Sequence, residues 1–338
     1  MKEENQKLNK HSWSLVEDLQ QFELGDSDAS KGEWQKIKAL NIKKKGAAAF
    51  LNSQFNLESF RIQASVALPA AGFIGLIFGA RDSANYELIY LSPGDNGIGQ
   101  VQYDPVMNGS TTWQIYNESY LSYTPYNVGD WVKFTIDVQT HTAKVYIGDD
   151  TSIPQLIISK LQHGNVFGKI GVWGYNPGYI RDLSIEQIPS IPPTINERNK
   201  DDFVNEWLVT DPYFSNSEPN ERRWTKASTE ENGTLNINRL YTSEKDKSVQ
   251  IKSTVTLTEE AKSTISFGFS DALRLWINEE EIYQGVWMWN PPEHDGRIRS
   301  DQISIPVTWR PGTNTIRAEI TSKEIVFGWG FCLKTGIQ

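Results

Sequence analysis

Arg81-Asp-Ser-Ala-Asn-Tyr-Glu-Leu-Ile-Tyr-Leu-Ser-Pro93 follows directly on the apolar run Ile74 to Ala80. Together they read as a strand, a polar turn and a second strand. On the first strand a period of two puts Ile74, Leu76, Phe78 and Ala80 on one face and Gly75, Ile77, Gly79 and Arg81 on the other. Glycines on one face of a strand mark a place where something approaches the backbone closely. That face ends in a cation, so the stretch predicts a binding surface on a sheet with Arg81 at its rim. It names no reaction.

The same period recurs outward from this hairpin. Val132, Phe134, Ile136 and Val138 are predicted to point inward and Lys133, Thr135, Asp137 and Gln139 outward. The short turn Thr140-His-Thr142 then returns the chain into Ala143, Val145 and Ile147. Strand-length segments also fall at 57–68, 86–91, 100–104, 111–116, 168–173 and 179–188. Ile188-Pro-Ser-Ile-Pro-Pro-Thr194 carries prolines that a central strand does not tolerate, and reads as a stiff linker. A second series follows: Val249–Leu257, Ile265–Phe269, Leu273–Ile277, Ile303–Val307, Asn314–Ile320 and Phe327–Leu333. The prediction is an all-β chain of two antiparallel β-sandwiches, over 1–188 and 203–338, joined by a polar, proline-rich linker at 189–202.

Composition bounds the function classes. The 338 residues are 38% hydrophobic and 22% charged, enough for two soluble domains with real cores. A formal charge of −9 argues against nucleic acid, which needs a basic stripe; Lys43-Lys44-Lys45 reads as a solvated strand end. Cys332 is alone and forms no intrachain disulfide. The uncharged run Ala64 to Ala80 falls short of the ~20 residues of a spanning helix and contains a proline and three glycines, so no membrane insertion is expected. The amino terminus lacks an apolar signal core, an expectation of cytoplasmic residence, or of secretion if a leader has been removed.

Catalytic signatures are largely missing. No zinc-protease helix, phosphate loop or dinucleotide fingerprint is present, and His11, His141, His163 and His294 read as surface histidines. Asp82, Glu87 and Asp104 are the candidate acids if the first domain hydrolyses glycosides, which requires two carboxyl groups facing across a sugar. Asp82 reads equally as a turn-former and Glu87 as a partner of Arg81. Glu293-His-Asp295 comes nearest to an acidic strand motif but lies in a loop after prolines. Asp26, Asp28, Asp149 and Asp150 match no calcium loop; solvated turns are expected, with structural calcium the alternative and no cofactor required.

Aromatic clustering is the stronger signal. Tyr103, Trp113, Tyr116, Tyr120, Tyr123 and Tyr126 fall close together, and Trp173-Gly-Tyr175 and Trp287-Met-Trp289 sit at polar loops. Sugars present C–H patches flanked by hydroxyls, which an aromatic face beside amides, Arg and carboxylates suits. The expected ligand-binding set is Arg81, Asn85, Gln102, Tyr103, Asn108, Trp113, Trp173, Tyr175, Trp287 and Trp289, with an oligo- or polysaccharide as partner.

The succession Arg81 to Tyr90, Gln102-Tyr-Asp-Pro-Val-Met-Asn-Gly109 with Trp113-Gln114, Trp131 to Ile147, Gly168-Lys-Ile-Gly-Val-Trp-Gly174 and Tyr179 to Ile188 resembles the concanavalin A-like lectin/glucanase superfamily. Within it the likeness is to laminin-G-like jelly rolls of a largely uncharacterised bacterial family. Phe267-Gly-Phe-Ser-Asp-Ala-Leu-Arg-Leu-Trp-Ile-Asn278 and Phe327-Gly-Trp-Gly-Phe331 are similar to a galactose-binding-like or glycosidase sugar-binding-like jelly roll. The resemblance implies a lectin-like, non-catalytic carbohydrate-binding protein. A glycoside hydrolase or polysaccharide lyase, and a protein-interaction or structural module, stand as alternatives. Glu279 departs from the glycine expected after Asn278, and the glucanase branch's acidic strand is missing.

Overall fold

The computed structural model describes residues 10–337 apart from 26, 44–45, 95, 117–119, 165, 193–201 and 215–222. The start of the chain, Asp26, Lys44-Lys45 and most of the predicted linker therefore lie outside the described residues. Apart from short 3-10 turns such as Leu19–Gln21 and Ile237–Arg239, the regular structure described is β, in four antiparallel sheets divided between two compact units. Among the described residues no helix is long and apolar enough to cross a membrane.

The first unit comprises residues up to 106 together with 118–196. Its seven-stranded sheet runs in the order Leu121–Pro125, Ile98–Tyr103, Asn85–Ser92, Phe73–Asp82, Gly168–Tyr175, Ala47–Phe55 and Phe22–Glu23. The opposing sheet is built around Trp131–Val138, Phe60–Ala67 and Gly178–Gln187. Alternation places the core: Phe60, Ile62, Ala64 and Val66 are buried, while Arg61 and Gln63 face out to Asp137 and Thr135 on the paired strand. Phe134, Ile136 and Val138 point inward as predicted, each fully buried, while Val132 is half-buried and Thr135, predicted to face outward, is buried against Gln63. Phe60 meets Phe78 of the other sheet edge to face, with centroids 6.2 Å apart. This is the double-layer packing of a sandwich.

The hairpin at 74–93 forms as read, with Asp82 paired to Asn85 across a two-residue turn. Its alternation breaks, however. A register shift lies between Phe78 and Asp82, and Gly79 takes φ +58°, a left-handed backbone open to glycine. The bulge moves Ala80 onto the face of Ile77, so Ala80 and Arg81 do not lie where strict period-two reading puts them.

The second unit takes 197–338 and also residues 107–117. Its larger sheet orders Trp224–Ser228, Glu206–Thr210, Lys247–Leu257, Gly312–Thr321, Asp271–Ile277 and Glu280–Trp287. The smaller orders Leu235–Asn236, Gly330–Lys334, Ala261–Phe269 and Ile303–Trp309. Between them lie Trp207, Phe267, Phe269, Trp309, Trp329 and Phe331. Truncating one such buried ring costs about 3–5 kcal/mol. Burial pushes the Cys332 thiol up to about 12, so this lone cysteine is an inert core residue.

Residues 111–116, predicted as a strand, form turns. Their backbone bonds go instead to the second unit's loops: Gln114 N–H donates to Phe327 O (3.0 Å), Ile298 N–H to Gln114 O (2.9 Å) and the Asn232 amide to Ile115 O (2.7 Å). Ile115 and Tyr116 are buried in that unit. The Asn278–Glu279 turn is a two-residue hairpin loop with both residues at positive φ (50° and 70°). Asn278 fixes it by donating to Asn314 Oδ1 and accepting from Thr315 N–H, so the turn closes without the expected glycine.

Candidate functional site

In the first unit the glycine-bearing face is filled by the protein itself. Gly75 pairs with Tyr90 on one side and Trp173 on the other. These two rings stack across it at 5.5 Å with planes 28° apart. A Cβ on Gly75 would fall 2.8 Å from Ile89 O and 3.0 Å from Tyr90 Cβ. The close approach predicted at Gly75 is therefore that of its neighbouring strands, and aromatic cover is what compensates the missing side chain. Phe73, half-buried, sets its edge against both Tyr90 (5.2 Å) and Tyr175 (5.8 Å). Trp173 is 5% exposed and Gln102 is buried beside Tyr90 on the same face. Neither offers an open face to a ligand; Tyr175 is half-exposed.

The acids of this unit have separate jobs. Asp82 caps its turn, accepting from Ala84 N–H and from the Asn85 amide (2.8 and 3.0 Å). Glu87 points into the sandwich and is fully buried. One of its oxygens accepts from Tyr103 O–H at 2.6 Å and the other from His163 N–H at 2.9 Å. Tyr103, fully buried too, accepts in turn from Gln162 N–H. Asp104 is 1% exposed. The three candidate acids thus share no open cleft, and Glu87 does not pair with Arg81. The Arg81 guanidinium reaches His163 Nδ1 (2.7 Å), whose Nε2 donates to Val106 O (2.9 Å). His163 is consequently a bridging, half-buried residue, which corrects its reading as a plain surface histidine.

Asn108 and Trp113 belong to the second unit. Asn108 donates to Asn238 O at 2.7 Å. Trp113 packs against Phe327 (5.3 Å) and beneath the Arg297 guanidinium (5.0 Å). Arg297 is 5% exposed and donates to Trp113 O and Tyr116 O, both at 2.8 Å, which ties 107–117 down.

Trp287 and Trp289 do come together. The strand Glu280–Trp287 leaves one sheet and Ile303–Trp309 enters the other. The connection across 288–302 borders a groove of about 520 Å³ lined by Trp287, Trp289, Pro291, Pro292, Glu293, His294, Asp295, Arg299 and Gln302. Long connections without regular structure in compact domains are commonly functional. This one is held open from within. Asn290 and His294 exchange backbone bonds, and the Gln302 amide bonds both backbone groups of Phe269 (3.2 and 3.4 Å). His294 lies flat on Trp287, so it too is no plain surface histidine. Trp289 remains 53% exposed, its backbone N–H held by the Glu324 carboxylate (3.1 and 3.2 Å).

Asp295 is the electrostatic hub. Its two oxygens accept the two arms of the Arg299 guanidinium at 2.8 Å each, and Oδ1 also accepts Arg297 N–H at 3.0 Å. Burial pushes this carboxyl up. The Arg299 fork, the Arg297 N–H and both positive charges outweigh burial and hold its pKa below the usual 3.8. The groove therefore presents one open aromatic face beside a fixed ion pair and the exposed carboxylate of Glu293.

The aromatic pair of this groove is legible in the sequence. Of its polar half, Glu293-His-Asp295 is visible only as an acidic motif stranded in a loop, whereas Arg299, Gln302 and the supporting Glu324 give no sign of themselves. The usable signal was Asp295 and Arg299 four residues apart in the loop that already held both tryptophans. Asp28, Asp149 and Asp150 sit in exposed turns, with Asp28 accepting from Lys43 N–H and Asp150 from Ser152 N–H. Among the described residues no group of three or more His, Cys, Asp or Glu is placed to hold a metal ion.

No protein-family model matches the chain, and no curated protein matches it in sequence. Solved structures do match in fold. The carbohydrate-binding module CBM66 from Bacillus subtilis covers 49% of this chain and 96% of its own length at 12% identity and TM-score 0.38. The Crh5 transglycosylase in complex with NAG covers 53% of this chain and 84% of its own at 12% identity and TM-score 0.37. Domain 4 of AbnA, an extracellular arabinanase from Geobacillus stearothermophilus in complex with arabinotriose, covers 55% and 95% at 15% identity and TM-score 0.34. At these scores the likeness is one of β-sandwich architecture and carries nothing about ligand or reaction.

Proposed function

We propose that the chain is a carbohydrate-binding protein whose ligand lies on Trp289 in the groove of the second sandwich. The observation that carries this reading is the pairing of a tryptophan, Trp289, that is 53% exposed with a preformed polar wall in one cavity of about 520 Å³. Such a volume lies in the usual range of small-molecule sites. An open indole beside fixed polar groups matches a sugar ring, which stacks its C–H face and satisfies its hydroxyls at the edge. The wall is preorganised: Asp295, Arg299 and Gln302 are each fastened by neighbours, so binding immobilises little more than the ligand. The first unit's rings are spent on covering its own sheet, which favours the second unit as the site. The buried Glu87 and turn-capping Asp82 support a binding rather than a hydrolytic role.

Calorimetric titration of the full chain against a panel of soluble oligo- and polysaccharides tests this. Binding that falls at least about tenfold on Trp289→Ala, with unchanged thermal unfolding, is expected. Absence of binding across the panel, or binding indifferent to Trp289→Ala, overturns the reading.

A further inference from the structure

The groove's charged groups are unevenly available. Both arms of Arg299 already grip Asp295 in a two-point fork. The neighbouring Arg297 turns inward, its guanidinium held by Trp113 O and Tyr116 O and its Nε 3.4 Å from Asp295. A ligand carboxylate or sulfate normally wins its site by taking such a fork for itself. Here both arms of the fork are already taken by Asp295, so an incoming anion finds no unengaged donor there and must compete with a carboxylate fixed in place. The remaining charge on the lining is Glu293, exposed at the rim and of the same sign as the incoming group. The chain's net charge of −9 adds repulsion at long range, but salt screens it beyond about 8 Å at physiological ionic strength. The local arrangement therefore decides.

Resting on the carbohydrate-binding reading, we infer that the groove selects uncharged glycans and rejects those bearing carboxylate or sulfate groups. Neutral hydroxyls suit what is on offer: they donate to Glu293 and stack their ring on Trp289 without asking for a free cation. Discrimination here comes from a repulsive rim and an occupied fork, a form of specificity by exclusion.

The test uses the full chain on an array of neutral oligosaccharides. Each is printed beside the form whose primary hydroxyl has been oxidised to a carboxylate, and hits are confirmed by calorimetry. Oxidised forms are expected to bind at least about tenfold more weakly than their neutral parents, and Glu293→Lys to narrow that gap. Acidic forms that bind as tightly as the neutral ones, or more tightly, overturn this inference and leave the binding reading standing. No binding to either member of any pair overturns the binding reading itself.

Discussion

The imidazole of His294 lies on the indole of Trp287 with ring centres 3.9 Å apart and planes 11° apart. Trp287 Nε1 donates to Arg297 O at 3.3 Å, so one face and one edge of this ring are used by its own loop. Trp287 is thus the floor of the groove and Trp289 its open platform. Replacing His294 by Ala removes a stack worth about 1 kcal/mol and loosens the loop. Urea unfolding should show that loss for His294→Ala and its recovery in His294→Phe. Equal stability of all three chains would contradict the assignment of His294 as a packing residue.

Glu87 is the residue a hydrolytic account of the first sandwich would use, and its surroundings assign it another task. Its hydrogen bonds with Tyr103 O–H and His163 N–H tie the strand Asn85–Ser92 to Tyr103 and to the backbone of His163. Glu87→Gln keeps the shape but removes the charge and leaves one acceptor where Tyr103 O–H and His163 N–H now have two. The variant is expected to lose about 1–3 kcal/mol of stability while binding glycan as the parent does. Denaturant unfolding and calorimetry on the same preparation check both halves.

Asp271 gives the second sandwich a pH-dependent stability. Burial is the main cause lifting its pKa from 3.8 to about 7; the Glu324 charge adds to it and the Lys323 N–H bond opposes it. A raised folded-state value means that the folded chain holds this proton more tightly than the unfolded chain. Its stabilisation is complete below the unfolded value, fades as pH rises through about 7 and is absent above. Between about pH 5 and pH 8 the loss is roughly 2–3 kcal/mol. Asp271→Asn should remove that part of the slope, so its stability relative to the parent rises over the interval. A difference that does not change with pH would contradict this.

Residues 107–117 complete the second unit, with Arg297 as the rivet. Arg297→Ala leaves two buried carbonyls, Trp113 O and Tyr116 O, without the donor they share. The expected cost is about 2–4 kcal/mol. Thermal unfolding should also show that a fragment over 197–338 regains stability only when a peptide over 107–117 is supplied.

The fold was legible because its grammar is local. Phe60, Ile62, Ala64 and Val66, like Phe134, Ile136 and Val138, alternate with polar neighbours, and that alternation alone dictates two-faced strands. What period cannot show is where it slips. The bulge at Gly79 arises from a single left-handed residue and reassigns Ala80. Residues 111–116 carry enough apolar character for a strand, yet their partners lie near 232, 298 and 327. No local pattern announces a segment that packs so far along the chain. The site divides in the same way. Trp287 and Trp289 announce themselves by type, whereas Gly75 misleads, since a bare strand face looks alike whether a ligand or a stacked Trp173 and Tyr90 fill it. Glu293-His-Asp295 shows as an acidic motif without a role, because its partner Arg299, alone in a polar loop, reads as solvated surface.

The proposed glycan site is Trp289 in the second sandwich, not the aromatic face of the first. Proton–nitrogen correlation spectra of the indole groups, recorded while the full chain is titrated with a bound oligosaccharide, read this directly. The Trp289 indole signal should move most and Trp287 with it, while Trp173, buried beside Tyr90, and Trp309, buried in the second core, stay fixed. Movement of Trp173 with Trp289 unmoved would contradict the claim.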